Sequence, residues 1–150
     1  MPALRPLLLA AALLPLPTPP ATAAGDLGRQ EPVVVTLQLG DSGGAHRFTP
    51  DALTLETGKL YALRLHNAGS QPYYFRSNAL ADAVYTRKVV ARDAAGNMVA
   101  EVYGAVRRVE IAAGQVAEWW FVPIRTGRFD DVMSTPALRD AGMRATIEVK

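Results

Sequence analysis

Short runs in which apolar residues alternate with other residues constrain this chain more than any other feature. In the first run, Val33, Val35, Leu37 and Leu39 occupy every second position, and the turn at 41–44 ends it. A period of two is typical of a strand that buries one face. Comparable runs follow at residues 53–56, 60–65, 73–75, 99–103, 106–111, 117–122, 129–133 and 144–149. The sequence therefore predicts an all-β domain.

One segment has a different period. Ser77 or Asn78 can cap a helix, and Leu80, Val84 and Lys88 then recur at a spacing of four. This spacing predicts a short helix within residues 77–88. Short strands, close turns and one helical insertion favour a Greek-key β-sandwich over residues 33–150, after a short entry segment at 24–32.

The first 23 residues have the pattern of a signal peptide. Arg5 supplies a positive charge, and residues 7–14 form an apolar run that is too short to span a bilayer. A proline-rich stretch and Ala21-Thr22-Ala23 then offer a cleavage site. We expect cleavage here, a periplasmic or secreted domain, and no stable membrane insertion; a retained anchor is the less favoured alternative.

The composition excludes several kinds of site. The chain has 150 residues and no cysteine, so it cannot form a disulfide, a zinc–thiolate site or a thiol nucleophile. Its net charge is only +2, which gives little attraction for nucleic acid. We therefore expect no nucleic-acid partner.

Catalytic constellations are also missing from the pattern. The Gly-x-Ser-x-Gly sequence at residues 40–44 falls in a turn after an expected strand and not in the strand-to-helix elbow that a serine nucleophile needs. Asp130 and Asp131 are adjacent on an expected strand, where neighbouring side chains point to opposite faces and cannot act together. We expect that the protein is not an enzyme.

The order of short motifs resembles the cupredoxin (plastocyanin-like blue-copper) family across residues 33–150. The first half of that order is Phe48-x-Pro50, Leu53-x-Leu55-x-x-x-Gly58 and Leu63-x-Leu65-x-Asn67. The second half is Ile111-x-x-Gly114, Glu118-Trp119-Trp120-Phe121-Val122-Pro123, Gly127-Arg128-Phe129, Pro136 and Ala141-Gly142-Met143. The resemblance implies a cupredoxin-like sandwich with a metal-ligand cluster at one end.

The resemblance also implies which positions would hold copper. The family has histidine, cysteine, histidine and methionine where this chain has Tyr73, Met133, Leu138 and Met143. A blue-copper centre needs two imidazoles and a thiolate, so only the weak axial ligand is retained. We expect these four degenerate ligand positions to meet in one pocket that apolar side chains fill. No cofactor is then expected.

A second hypothesis keeps copper in its reduced form. Met133 and Met143 are neutral, soft donors of the kind that Cu(I) prefers, although two thioethers alone make a weak site. Met98, His46 and His66 could supply a third donor, but the pattern favours hairpin filler for Met98 and an exposed loop for His46. His66 should point away from the apolar face of its strand.

Three functions remain open at this level. The first is a non-enzymatic binding or accessory module whose type 1 copper site is lost, with an unidentified periplasmic protein partner. The second is a periplasmic copper-handling protein that uses Met133 and Met143, and the third is an accessory subunit of a periplasmic redox system. A docking patch for an acidic partner could be formed by five scattered basic residues, Arg87, Lys88, Arg92, Arg107 and Arg108. The favoured alternative is that these side chains form an ordinary solvated surface.

Overall fold

The structure, a computed structural model, describes residues 25–93 and 95–150. The predicted signal peptide at residues 1–23 lies outside these ranges and stays a prediction. No helix in the described ranges combines the length and the hydropathy that a membrane crossing needs.

A six-stranded sheet forms one layer. Its strand order is β2–β1–β4–β9–β6–β7, with β1 and β4 parallel and the other neighbours antiparallel. The bounds are β1 Val33–Leu39, β2 Phe48–Thr49, β4 Tyr61–Asn67, β6 Val84–Arg92, β7 Met98–Val102 and β9 Val116–Pro123. The strands expected at 33–39, 60–65 and 117–122 are thereby confirmed.

A five-stranded sheet forms the other layer, in the order β3–β11–β10–β5–β8. Its one parallel pair joins β3 to β11. The bounds are β3 Ala52–Leu55, β5 Tyr73–Arg76, β8 Arg108–Ile111, β10 Gly127–Met133 and β11 Arg144–Val149. The chain crosses repeatedly between the layers, as expected of a β-sandwich with crossover connections.

The inner faces of both sheets share one apolar core. The ring centroids of Phe75 and Trp119 lie 5.9 Å apart, and those of Trp119 and Phe121 lie 4.7 Å apart. Leu37, Leu65 and many other side chains from both layers complete the same cluster. Alternate residues point inward on each strand, so the period-two pattern of the sequence becomes the two faces of each sheet.

The helical insertion is shorter than expected. Helix α1 covers only Asn78–Ala81, and residues 84–92 form strand β6 instead of continuing the helix. Strand β9 pairs with β6 from Val84 to Arg92 and satisfies its backbone hydrogen bonds. Val84, Thr86 and Val89 are β-branched and fit a strand better than a helix. A second short helix, α2 at Pro136–Asp140, was not expected from the sequence.

Candidate functional site

The predicted ligand positions lie at one end of the sandwich, which we call the loop end. Strands β1, β4 and β10 end there, and β5 and β11 begin there. The connecting segments at 40–47, 68–72 and 134–143 therefore gather over the core at this end.

Tyr73 occupies the space beneath these connections. The residue is only 1% exposed, and it belongs to the core cluster. A Cβ atom added to Gly40 would lie 2.5 Å from the Tyr73 ring, and one added to Gly69 would lie 2.6 Å from it. The backbone at both glycines therefore packs directly on the aromatic ring. Gly40 also has a φ of +64°, a conformation that favours glycine.

The Tyr73 hydroxyl reaches the surface through His46. Nδ1 of His46 lies 2.6 Å from the phenol oxygen, and the two rings meet edge to face with centroids 5.8 Å apart. His46 is exposed, as the sequence predicted. Its bond to a buried phenol was missed, because nothing in a glycine-rich loop shows which distant side chain the loop will cover.

Asp41 shapes the loop that carries His46. Its carboxylate accepts hydrogen bonds from the backbone N–H groups of Gly43 and Ala45, at 2.9 and 3.0 Å, and pairs with Arg47 at 2.8 Å. The backbone N–H of Ala45, followed by that of Gly43 and the charge of Arg47, holds the pKa of Asp41 below its usual value. These contacts stabilise the loop over Tyr73.

Asn67 fixes the neighbouring loop from below. Its fully buried side-chain amide donates to the carbonyl oxygens of Gln71 and Ile111, both at 2.8 Å, and its Oδ1 accepts from the N–H of Gly69. Both polar atoms of this side chain therefore hydrogen-bond to backbone N–H or C=O groups that would otherwise lack a partner. An asparagine at the end of an apolar strand, just before a loop, is the sequence signal for this role.

A β-bulge decides which side chains of β10 face the core. Between Phe129 and Val132, β10 has one residue more than its partner β11. The extra residue reverses the alternation, so that Val132 and Ser134 are buried while Met133 is only half-buried. Without the bulge, Met133 would share the inner face with Phe129, in line with the pocket position that the family resemblance implied for it.

Met133 and Met143 are therefore not brought together in the core. Met133 pairs across the sheet with Arg76 and Arg144, and it is not part of the core cluster. Met143 is fully buried inside that cluster, and Leu138 packs against the cluster from α2. Tyr73 and Met143 thus belong to one core cluster with Leu138 packed against it, whereas the register places Met133 on the outer face of the sheet, opposite Arg76 and Arg144.

The polar atoms buried at the loop end already have partners. Ser134 Oγ accepts a hydrogen bond from the backbone N–H of Tyr74 at 2.9 Å, and the Tyr73 hydroxyl contacts His46. Among the described residues, no buried side-chain nitrogen or oxygen lacks a hydrogen-bond partner. In those same ranges, no three residues among His, Asp and Glu are grouped as a metal site. The donors at this end are a phenol, an imidazole, a hydroxyl and a thioether.

Asp131, expected from the sequence to be a solvated strand residue, has a structural role. Its Oδ2 accepts from the N–H of Ala79 at 3.0 Å, and its Oδ1 accepts from the hydroxyl of Ser77. The Ser77 hydroxyl in turn accepts from the N–H of Leu80. Asp131 and Ser77 together cap α1 and hold it against β10. Asp130 instead pairs with Arg128 on the surface.

The basic residues that suggested a docking patch are mostly engaged within the chain. Lys88 pairs with Glu101 at 2.6 Å and also lies 4.6 Å from the centre of the Trp120 ring. Arg92 pairs with Glu118 at 3.1 Å. The outward-facing Trp120 is thus covered by cationic side chains of its own sheet, while Trp119 is buried in the core.

His66 lies away from the core, as its position on β4 predicted. With Thr36, Arg64 and Arg92 it lines an open groove of about 400 Å³ on the outer face of the six-stranded sheet. The groove is separated from Met143 by the sheet itself, so His66 does not complete a donor set with that thioether.

Comparison with known proteins gives a fold but no relative by sequence. No family model and no curated protein matches the chain. Solved structures do match. A multicopper oxidase from Campylobacter jejuni has a TM-score of 0.64 and 11% sequence identity, and the match covers 81% of this chain and 31% of the oxidase. A copper-containing nitrite reductase from Thermus scotoductus has a TM-score of 0.58 and 13% identity, and the match covers 83% of this chain and 32% of the reductase. A multicopper oxidase from Pediococcus acidilactici has a TM-score of 0.58 and 15% identity, and the match covers 94% of this chain and 30% of the oxidase.

The chain spans about a third of the length of these oxidases and of the reductase. At such low identity the likeness concerns the architecture alone. Together with the two-layer sandwich, it confirms the fold that the order of motifs implied: this domain has a cupredoxin-like fold.

Proposed function

We propose that this protein is an exported, non-enzymatic cupredoxin-like module that binds or assists a protein partner and has lost the type 1 copper site. The observation that carries the proposal is the position of Tyr73. Its ring fills the loop end between the backbones of Gly40 and Gly69, and its hydroxyl is bonded to His46. The space is occupied by the protein's own side chain.

The chemistry of the donors supports loss of the copper site. A type 1 centre takes its character from a thiolate and two imidazoles in one plane. The chain has no cysteine, and Leu138 offers no donor atom. A phenol oxygen is a hard donor and does not replace the soft thiolate of such a centre. These residues do not fit a blue-copper ion, and replacing buried ligands with packed groups removes polar atoms that would need partners.

The register argues against the copper-handling alternative. Cu(I) held by Met133 and Met143 needs both sulfurs on one side of the sheet, but Met143 is buried and Met133 faces outward between Arg76 and Arg144. Two nearby cations also disfavour a bound cation. Cu(I) binding by this pair stays a prediction, and the same experiment that tests the main proposal addresses it.

Copper titration of the purified chain tests the proposal. With Cu(II) we expect no intense visible absorption from a copper–thiolate bond. With Cu(I) under reducing conditions we expect competition with a chelator to show no site of micromolar or tighter affinity. The matched comparison is the double variant Met133→Leu, Met143→Leu against Met98→Leu, which removes an exposed methionine. Tight Cu(I) binding that the double variant loses and Met98→Leu retains would establish copper handling instead.

A further inference from the structure

The outer face of the five-stranded sheet carries three arginines in one cross-strand row. Arg76 on β5 lies opposite Arg108 on β8 and, on its other side, opposite Met133 on β10. Met133 in turn lies opposite Arg144 on β11. The neighbours of these residues along each strand are buried in the core or packed against it, so the four side chains share the outer face. We call this set the arginine row.

The arginine row places like charges side by side without a carboxylate to balance them. Directly opposite residues have Cβ atoms about 5 Å apart, where two like charges destabilise a sheet. None of the three guanidinium groups forms an ion pair with a described carboxylate, and the undescribed residues include no aspartate or glutamate. Asp131 on β10 is engaged at the start of α1. The sheet therefore carries a repulsion that an anion from outside the chain would relieve.

Other arginines on the faces of the two sheets have a carboxylate beside them. Arg92 pairs with Glu118 at 3.1 Å, and Arg128 pairs with Asp130 at 3.1 Å. Arg64 forms no ion pair either, but it lies directly opposite Glu118 on the neighbouring strand. The arginine row differs because the residues opposite its members are other members of the row.

Two carboxylates flank the arginine row without closing it. Glu110 lies opposite Tyr74, next to Arg108 on the same face. Asp51 lines an open groove of about 630 Å³ together with Arg144. Neither carboxylate is part of an ion pair. An acidic ligand therefore meets attraction along the row and repulsion at its margins, which limits the length of acidic segment that fits.

The residue types of this surface favour a protein as the partner. Arg108 lies 4.9 Å from the centre of the Tyr74 ring, and stacking on a ring leaves the N–H edge of the guanidinium available to a carboxylate. Met133 adds an apolar side chain within the row. Arginine, tyrosine and methionine are enriched in protein–protein interfaces. The net charge of the chain, +2, gives little attraction for a nucleic acid or an anionic membrane.

We propose that the arginine row binds an extended acidic segment of a protein partner, with carboxylates at positions i and i+4 and an apolar residue at i+2. Neighbouring strands lie about 4.8 Å apart, so the row spans about 14 Å from Arg108 to Arg144. In an extended segment lying across the strands, side chains at i and i+4 are about 14 Å apart on one face.

This spacing assigns a contact to each member of the row. The first carboxylate binds Arg108 and Arg76, and the second binds Arg144. The apolar residue at i+2 contacts Met133. The arginine row is then the partner-binding surface of the module proposed above, so the assignment rests on that proposed function.

NMR titration of the isotope-labelled chain with a synthetic peptide tests the proposal. The capped peptide Ser-Glu-Thr-Val-Thr-Glu-Ser has the proposed spacing. The capped peptide Ser-Glu-Glu-Val-Thr-Thr-Ser has the same composition and charge but the wrong spacing. We expect saturable amide shifts centred on the arginine row, with a dissociation constant of about 1 mM or tighter at low salt that weakens as salt rises. The second peptide should bind at least about threefold more weakly.

Matched variants separate docking from a structural role. Arg76→Met and Arg144→Met each remove one charge and keep most of the alkyl stem, so each should weaken peptide binding at least about threefold. Arg64→Met removes an arginine without an ion pair from the other sheet and should leave binding unchanged. Because Arg76→Met also relieves the repulsion from Arg108, it should not lower the midpoint of urea unfolding.

Four results would overturn the proposal. They are the absence of a saturable shift at about 5 mM peptide, equal binding of the two peptides, an equal loss of binding in Arg64→Met, and a lowered urea midpoint in Arg76→Met. Tighter binding of phosphatidylserine vesicles or of a short oligothymidylate to the same residues would identify a general polyanion surface and would also overturn it.

The peptide titration and the copper titration fail independently. The copper titration reports on the methionines, so tight Cu(I) binding would contradict the proposed function. A failed peptide titration would remove only the arginine row as its partner-binding surface.

Discussion

A buried phenol must place its hydroxyl against a partner, and this requirement organises the loop end. Tyr73 has almost no contact with solvent, yet its oxygen finds His46 at 2.6 Å. Gly40 and Gly69 leave room for the ring, since any side chain at either position would collide with it. One residue thus explains two glycines and the position of a surface histidine.

Removing only the hydroxyl should have a modest cost. Tyr73→Phe keeps the ring and loses the bond to His46, so we expect the free energy of unfolding in urea to fall by about 1 kcal/mol. Tyr74→Phe is the control, because that ring is half-buried and stacks beneath Arg108. Equal effects of the two variants would show that the bond to His46 contributes nothing specific.

The contact between Tyr73 and Gly69 can be tested as a coupled pair. Gly69→Ala places a methyl group against the ring and should destabilise the chain by roughly 1–3 kcal/mol. In a Tyr73→Leu background the methyl group has space, so the same change should cost clearly less. The measurement is a double-mutant cycle of unfolding free energies. Additive effects would mean that the ring is not what excludes a side chain from position 69.

Among the elements, strand β10 has the largest influence on the site. Its bulge reverses the face that Met133 presents, and the aspartate within the bulge caps α1. The two effects are linked because Asp131 is freed from the regular alternation and can reach Ser77 and Ala79. A local irregularity therefore sets both the position of the helix and the donors of the loop end.

Loss of the Asp131 carboxylate should uncouple α1 from the sheet. Asp131→Ala leaves the Ser77 hydroxyl and the Ala79 N–H without their acceptor, and we expect a loss of about 1–2 kcal/mol in stability with faster amide exchange across residues 78–81. The neighbouring Asp130→Ala, which removes a surface contact to Arg128, should have a smaller effect and leave that exchange unchanged. A larger loss of stability for Asp130→Ala than for Asp131→Ala would contradict the capping role of Asp131.

The loop that covers Tyr73 should depend on pH through Asp41. The pKa of this carboxyl is lowered from 3.8 in the folded chain, first by the N–H of Ala45. Its contribution to stability is therefore complete above the unfolded pKa and is lost as pH falls through the folded pKa. Amide shifts of Gly43 and Ala45, followed by NMR, should titrate below pH 3.8. Asp41→Asn should abolish that titration, and a midpoint above 3.8 would contradict the assignment.

At the scale of the whole molecule, both sheets contribute to one core. Phe75 from the five-stranded layer packs on Trp119 from the six-stranded layer, and the cluster continues through both. Neither layer has an apolar core of its own, so neither can be expected to fold alone.

Unfolding should accordingly be a single cooperative transition. Trp119 is buried between the layers, so its fluorescence reports on the core, whereas far-ultraviolet circular dichroism reports on all strands. We expect the two signals to change together across a urea titration, as for other single domains of this size. Separate midpoints would show that one layer persists without the other.

The sequence was sufficient for the features that depend on neighbouring residues. The period of two predicted most of the strands, and the absence of cysteine by itself excluded a copper–thiolate bond. The placement of Trp119 and Trp120 on opposite faces also follows from alternation alone. The order of motifs identified the cupredoxin-like fold.

Only the tertiary structure decided what depends on cross-strand pairing. Residues 84–92 became a strand because β9 paired with them, Met133 turned outward because β10 gained a residue relative to β11, and His46 met Tyr73 across 27 positions of sequence. Each outcome is set by a partner that lies far away in the chain, so no local pattern records it. Alternation fixes which residues share a face, but register against a neighbouring strand fixes which face is buried.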